Sequence, residues 1–270
     1  MRLCTFLDPG EPDAAPRAGL VEGDGVRALA ASSVLDVIRG ARVAAPGIAR
    51  SISSVRLMEP FRPGKIIGIG LNYRAHAAET GKTPPEDPLL FSKLPSAVCA
   101  PGGPVVKPTY TDELDYEGEL AVVIGRVAKD VPAHRALQHV FGYAVMNDVS
   151  ARDRQREEPQ WVRAKGGDSF APFGPWVTTA DEVPDPQDLR IRTWVGGDLR
   201  QDGHTSDMVF PVASLIAYCS AAFTLEPGDV ITTGTPAGVG QGRRPPVYLV
   251  PGERVRVEID GLGALEHDVI

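Results

Sequence analysis

Two glutamates flank a single glycine in YEGELAVVIG, at Glu117 and Glu119, on what reads as an apolar, β-branched strand from Glu117 to Gly125. Side chains alternate faces along a strand, so both carboxylates point the same way, a few ångströms apart. If buried they repel, and the arrangement is costly unless positive charge lies between them. A divalent cation answers this. Oxygen ligands suit the hard ions Mg²⁺, Mn²⁺ and Ca²⁺, and no Cys/His set favours zinc. A third oxygen is available in FGYAVMNDVSARD, an apolar strand from Phe141 to Met146 that ends in Asn147-Asp148. The helix-length segment PAHRALQHV separates the two strands, so they can be neighbours in one sheet with Asp148 near the glutamates. Taken by itself, Glu-x-Glu on a strand is more often a solvated edge face, and Asp112, Glu113 and Asp115 just before it suit an exposed turn.

His76 and Glu79 lie three apart in AHAAET, an Ala-rich stretch with good helix propensity and Gly81 as a stop. At that spacing they share a helical face, and the carboxylate can orient the imidazole as a water-activating base. The commoner fate of such a pair is a solvated helix surface. Lys165, in RAKGGDSF, lies between two expected strands, where a lysine is usually a surface residue.

The elements that must position these groups are mostly short strands between Pro/Gly turns: KIIGIG, FGYAVMND, APFGPWVTT, LRIRTWVGG, DVITTG and ERVRVEID. Helices are expected near Ala75–Thr80, Ala133–Val140 and Ser214. The pattern predicts a mixed α/β fold, predominantly β, without the regular alternation of a doubly wound sheet. Residues 1 to about 60 read as a small β-rich module, with a hairpin turning at Asp24-Gly25 and a short helix capped by Ser33 and ended by Gly40; FRPGK joins it to residues 61–270. The net charge of −7 and the absence of a basic run argue against nucleic acid and anionic membrane as partners. The apolar region Val209–Leu225 is too short and too mixed to span a bilayer. Three cysteines without a CxxC indicate neither a disulfide frame nor a zinc knuckle, and with no signal-peptide pattern they place the chain in the cytoplasm. The glycines of TGTPAGVGQG lack the Lys-Ser/Thr of a P-loop, and IIGIGLNY lacks the third glycine of a dinucleotide fingerprint.

GLNYRAHAAETG, LDYEGELAVVIG, NDVSARD, RAKGGDSFAPFGP and LEPGDVITTGTPAGVG follow one another in this order. Together, across residues about 60 to 270, they closely resemble the fumarylacetoacetate hydrolase family. The resemblance implies a mixed β-roll catalytic domain, a homodimer, and Mg²⁺ or Mn²⁺ (with Ca²⁺ able to substitute) held by Glu117, Glu119 and Asp148. It implies a small 2-oxo or 1,3-diketo acid as substrate. His76 and Glu79 match the family's catalytic dyad on a lid, which GKTPPEDP would continue. Lys165 matches a lysine that stabilises oxyanion charge, Gln155 a polar substrate contact, and Thr235 a hydroxyl donor to substrate. His204 stands where family members often have Asn. Lid residues Pro84–Leu94 and the loop near Gln155–Trp161 are expected to set the group beyond the diketo acid. The expected reaction is metal-dependent hydrolysis of a C–C bond in an acylpyruvate- or fumarylpyruvate-like acid. Rival readings are an oxaloacetate decarboxylase or a 2-oxo-dienoate isomerase or decarboxylase on the same scaffold, and a non-catalytic ligand-binding protein that keeps its metal.

Overall fold

A computed structural model describes residues 1–10 and 15–270. Its principal element is a twelve-stranded mixed sheet. Along the sheet run Arg2–Leu7, Ala171–Thr179, Val140–Asn147, Gly118–Ile124, Val230–Thr232, Ile66–Gly70 and Leu89–Lys93, each hydrogen-bonded to the next. Most pairs are antiparallel, whereas Val230–Thr232 runs parallel to Ile66–Gly70. The N-terminal strands Arg17–Glu22 and Gly25–Ala28 extend the same sheet beyond Arg2–Leu7, which pairs with the far end of Ala171–Thr179 through Arg2 and Leu3. A second sheet of four strands has the order Asp198–His204, Arg190–Val195, Arg254–Ile259, Gly263–Asp268.

The two sheets meet most tightly at Gly118. A Cβ there would stand 2.4 Å from Thr193 Oγ1 and 2.9 Å from Val257 of the second sheet. This explains the glycine between the two glutamates. On the strand Gly118–Ile124, odd and even residues face opposite sides. One side carries the acidic groups, and the other packs against the second sheet so closely that no side chain fits. Every residue of that strand is buried.

Val212–Ala222 is the longest helix and buries Leu215, Ile216 and Cys219, as expected for the apolar region around Ser214. Among the described residues no helix is long and apolar enough to cross a membrane. Ser33 caps the helix Val34–Ile38 by accepting from Asp36 N at 3.1 Å. The helix expected over Ala133–Val140 is a single turn, Ala133–Ala136, followed by the tighter 3₁₀ turn Leu137–His139.

Several sequence expectations are corrected. The first hairpin turns at Gly23-Asp24, one residue earlier than Asp24-Gly25, because Glu22 pairs with Gly25. Leu89–Lys93, expected within a lid, is an edge strand paired residue for residue with Ile66–Gly70. Gln155 belongs to the helix Arg152–Glu157 rather than a loop. Lys165 lies between strands as expected, at the end of the short helix Val162–Lys165 that precedes Ala171–Thr179.

Candidate active site

Glu117 is fixed by the register of two central strands. Gly118 pairs with Asn147, and Asp148 N–H donates to Glu117 C=O at 2.9 Å. The ladder therefore sets Asp148 beside Glu117, and Glu119 follows two residues on, on the same face. One oxygen from each of the three carboxylates lies within 4.8 Å of the others, and all three side chains are buried.

Three cations surround this cluster. Lys165 Nζ bridges Glu117 Oε2 at 2.7 Å and Asp148 Oδ2 at 2.8 Å, and it lies 4.8 Å from the centre of the Phe91 ring. Arg152 spans Glu117 Oε1 at 2.6 Å and Asp115 Oδ2 at 2.8 Å. Lys93 donates to Asp148 Oδ1 and to Val149 C=O. Glu119 makes no ion pair among the described residues. Its Oε2 accepts from Thr232 Oγ1 and from Gly234 N–H.

These surroundings drive the carboxyls apart. Burial works against the charged form of Glu117, but Arg152 and then Lys165 outweigh it and hold its carboxyl well below the usual range. Burial, then the charges of Asp148 and Glu117, push Glu119 well above the usual range. Burial opposes the charge on Lys165, but Asp148 and Glu117 outweigh it and raise its value. Burial dominates at Lys93 and lowers its value despite Asp148. The buried set Asp115, Glu117, Glu119 and Asp148 thus faces Lys93, Arg152 and Lys165, four acids to three bases, and Glu119 is the acid left without an ion pair among the described residues. The donor set fits a hard divalent cation: the candidate ligands are all oxygen, three carboxylates converge, and one of them makes no ion pair among the described residues.

His76 and Glu79 lie on the helix Arg74–Glu79. His76 Nδ1 is 2.9 Å from Glu79 Oε1, and Glu79 Oε2 accepts from Gly238 N–H at 2.9 Å. A carboxylate only accepts, so Nδ1 carries the proton and Nε2 is left with a free lone pair. His76, Glu117, Glu119, Lys165, Gln155 and Thr235 line one cavity of about 170 Å³. Phe91 and Trp161, with ring centres 5.7 Å apart, form part of its apolar wall, together with Leu89. Both stretches expected to shape the distal end therefore reach the cavity.

Gln155 Oε1 accepts from Arg152 Nη1 at 3.0 Å, so its amide N–H groups are the free ones. The Thr235 hydroxyl donates to Gly118 C=O at 3.0 Å and accepts from Gln201 Nε2 at 2.7 Å, so its proton is used within the protein, on the glycine between the two glutamates. His204 lies outside the cavity, on the exposed end of the strand Asp198–His204, where it meets Ser206 and Asp188.

Several residues of the site went unnamed in the sequence reading. Arg152 was visible within NDVSARD, four residues after Asp148. Lys93 carried no local signal in its edge strand. His267 belongs to Gly263–Asp268: its Nε2 accepts from Asn147 Nδ2 at 3.0 Å, while Asn147 Oδ1 accepts from Glu117 N–H at 2.9 Å. Burial pushes this histidine down to about 4. The chain thus ties the backbone of Glu117 to the second sheet.

Known proteins share this fold. The model of the fumarylacetoacetate (FAA) hydrolase C-terminal family matches residues 65–270. The fumarylacetoacetate hydrolase of Exiguobacterium antarcticum superposes with a TM-score of 0.90 at 40% identity, covering 100% of this chain and 99% of that one. The 5-carboxymethyl-2-hydroxymuconate delta-isomerase of Mycobacterium smegmatis gives 0.85 at 39% identity, with the same coverage of both chains. A protein of Burkholderia multivorans, whose name goes no further than a provisional hydrolase, is 45% identical over 97% of this chain and 96% of its own. The fold and the site define a β-rich enzyme with a buried carboxylate trio beside a His–Glu pair. The chain belongs to the fumarylacetoacetate hydrolase family.

Proposed function

We propose that the protein is a Mg²⁺- or Mn²⁺-dependent hydrolase that cleaves a C–C bond in a small acylpyruvate-like 1,3-diketo acid. The observation that carries this reading is the His76–Glu79 pair, set with a free Nε2 in the same cavity as Glu117 and Glu119 of the carboxylate trio. Decarboxylation and tautomerisation need no attacking water, whereas hydrolysis needs a base to deprotonate one. A maleylpyruvate hydrolase from Sphingobium, with a TM-score of 0.81 at 34% identity, supports the same reading.

Glu117, Glu119 and Asp148 would hold the cation. When bound there, it supplies positive charge at the 2-oxo acid end of the substrate, where the electron pair of the broken bond collects. His76 Nε2 takes a proton from water, and the oxygen bonds to the carbonyl carbon farther from that end. Two of the three N–H groups of Lys165 are used on Glu117 and Asp148, so one is free to donate to the developing oxyanion. The C–C bond then breaks: the acyl half leaves as a carboxylic acid, and the pyruvate half takes up a proton at carbon. The Gln155 amide N–H groups bind substrate oxygen from the cavity wall. Thr235 acts by holding Gly118 in place.

The homodimer implied by the family resemblance belongs to the same proposal, and light scattering of the purified chain tests it. The reaction is tested by product analysis of acylpyruvates and oxaloacetate, with Mn²⁺ and with chelator. A carboxylic acid plus pyruvate supports the reading. CO₂ release, or an isomer of unchanged mass, replaces it with one of the rival reactions.

A further inference from the structure

The helix Arg74–Glu79 carries both members of the proton-handling pair, yet its six residues are far too few to hold a helix in water by themselves. It also lacks a cap of its own: Tyr73 stands at the N-cap position and makes no side-chain hydrogen bond there. The cap comes from 132 residues away, where Asp207 Oδ2 accepts from Ala75 N–H at 2.9 Å. Arg74 Nη1 donates to the carbonyls of Asp207 and Met208, at 3.1 and 2.7 Å. Just before the helix, buried Asn72 donates through Nδ2 to Phe210 C=O at 3.1 Å, and its Oδ1 accepts from Phe210 N–H at 2.9 Å. Tyr73 and Met208 form an isolated antiparallel bridge. The N-terminal end of the helix thus hangs on residues 207–210.

Asp207 is itself held in place. It ends the 3₁₀ turn Thr205–Asp207, which leaves the second sheet at the strand Asp198–His204. His204 caps that turn: its Nδ1 accepts from Ser206 N–H at 3.3 Å and from the Ser206 hydroxyl at 2.8 Å. Nδ1 therefore carries no proton, and Nε2–H points to Asp188 Oδ1 at 3.3 Å. Thr205 N–H donates to Leu189 C=O, and the Thr205 hydroxyl accepts from Leu189 N–H, both at 2.9 Å. The Asp207 carboxylate makes no ion pair among the described residues; the Ala75 amide is its partner. The line from His204 through Asp207 to Ala75 thus ends one residue short of His76. With Glu79 tied to Gly238 at the other end, two contacts fix the axis of the helix and with it the direction of His76 Nε2.

We propose that His204 and Asp207 are positioning residues for the His76–Glu79 pair: the His204-capped turn presents Asp207 to the helix, and Asp207 sets where His76 Nε2 meets water and substrate. The inference rests on the hydrolase reading, in which His76 takes a proton from water. Neither residue lines the cavity. The turn leaves the second sheet, whereas Glu117, Glu119 and Asp148 are set by two central strands of the first. The contact at Ala75 therefore adjusts the base against the carboxylate trio. A base displaced by about 1 Å can cost about a hundredfold in rate, so the effect falls on kcat and leaves the trio as it is.

The test compares Asp207→Ala with Asp207→Asn, and His204→Ala with His204→Asn, in the full chain. Asparagine keeps an acceptor oxygen at either position and is a good N-cap, whereas alanine removes the acceptor. For cleavage of acetylpyruvate with Mn²⁺, Asp207→Ala is expected to lower kcat by about tenfold or more, with KM and Mn²⁺ affinity within about threefold of wild type. His204→Ala, one contact further away, is expected to lower kcat by about threefold or more, and both asparagine variants to stay within about twofold of wild type. Hydrogen exchange of the peptide spanning Tyr73–Thr80, read by mass spectrometry, is expected to quicken by about fivefold or more in Asp207→Ala and to keep its wild-type rate in Asp207→Asn. An Asp207→Ala kcat within about twofold of wild type, or an Asp207→Asn kcat as low as that of Asp207→Ala, overturns the positioning role and leaves the hydrolase reading standing. If Asp207→Ala does not fold, the His204 variants decide by the same comparison. Cleavage of no diketo acid by the wild type overturns the hydrolase reading, and the exchange rates then decide the role of Asp207: equal rates in wild type and Asp207→Ala overturn it too.

Discussion

Replacing Glu79 by glutamine tests the His76–Glu79 pair with the smallest change of shape. Glu79 accepts two hydrogen bonds, one from His76 Nδ1–H and one from Gly238 N–H, both 2.9 Å long. Glutamine has one acceptor oxygen and one donor amide, so it can satisfy only one of them. If the oxygen stays on Gly238, the amide N–H faces the imidazole. Nδ1 must then accept, its proton moves to Nε2, and the atom meant to take a proton from water already carries one. If the oxygen stays on His76, two donors face each other at Gly238, and a bond to a charged acceptor worth about 1.5–3 kcal/mol is lost. In the first case general-base catalysis is removed, a factor of about 10²–10⁴ in kcat. Steady-state kinetics, following loss of the diketo acid's ultraviolet absorbance, is expected to show that fall. KM and Mn²⁺ affinity, which Glu79 does not touch, are expected to stay within about threefold. His76→Ala is expected to fall as far, and the double variant no further, because the two residues act as one unit. A Glu79→Gln kcat within about threefold of wild type would refute the assignment.

Thermal denaturation is expected to show stabilisation by Mn²⁺ of about 2.7 kcal/mol at a hundredfold excess over Kd, reversed by chelator and lost in Glu119→Gln. Gly242→Ala drives a Cβ into the Glu79 carboxylate and is expected to lower kcat by about tenfold or more with little change in thermal midpoint, as kinetics and calorimetry will report. His267 titrates at about 4 against an ordinary 6.5, so the unfolded chain binds more protons between those values. Its contribution is complete above about pH 6.5 and is lost as pH falls toward 4, to the extent of about 3 kcal/mol. In His267→Gln, denaturant titrations are expected to show a shallower loss over that window, and parallel wild-type and variant curves would count against a buried neutral imidazole.

The trio was readable from the sequence because strand periodicity and strand register are local rules. Glu117 and Glu119 share a face by alternation, and Asp148 follows an apolar strand long enough to lie beside theirs. What the sequence hid is long-range. His267 lies 120 residues from Asn147, and stacking of the two sheets, not any pattern in GALEHD, brings them together. The strands Asp198–His204 and Gly263–Asp268 escaped notice because both are edges of the second sheet, where polar residues face solvent and the apolar alternation weakens. Lys93 was missed for the same reason: it ends the outermost strand of the large sheet, yet it reaches inward to Asp148. The family blocks located His76, Glu79, Lys165, Gln155 and Thr235, but only the coordinates reveal that Thr235 spends its hydroxyl hydrogen on Gly118.

Gly118 has a consequence for how such an enzyme can diversify. The carboxylates stand on a strand bonded along both edges and wedged from behind by the second sheet, so they cannot shift without dislodging the whole sandwich. Arg243 to Pro246 occupy an irregular connection between the strands Val230–Thr232 and Arg254–Ile259, outside either ladder. That connection also carries Gly238 and Gly242, which hold and crowd Glu79, so it cannot be exchanged whole without disturbing the His76–Glu79 pair. Change is therefore tolerated only in the part of the connection that touches neither glutamate, with the frame beneath acting as a fixed chassis.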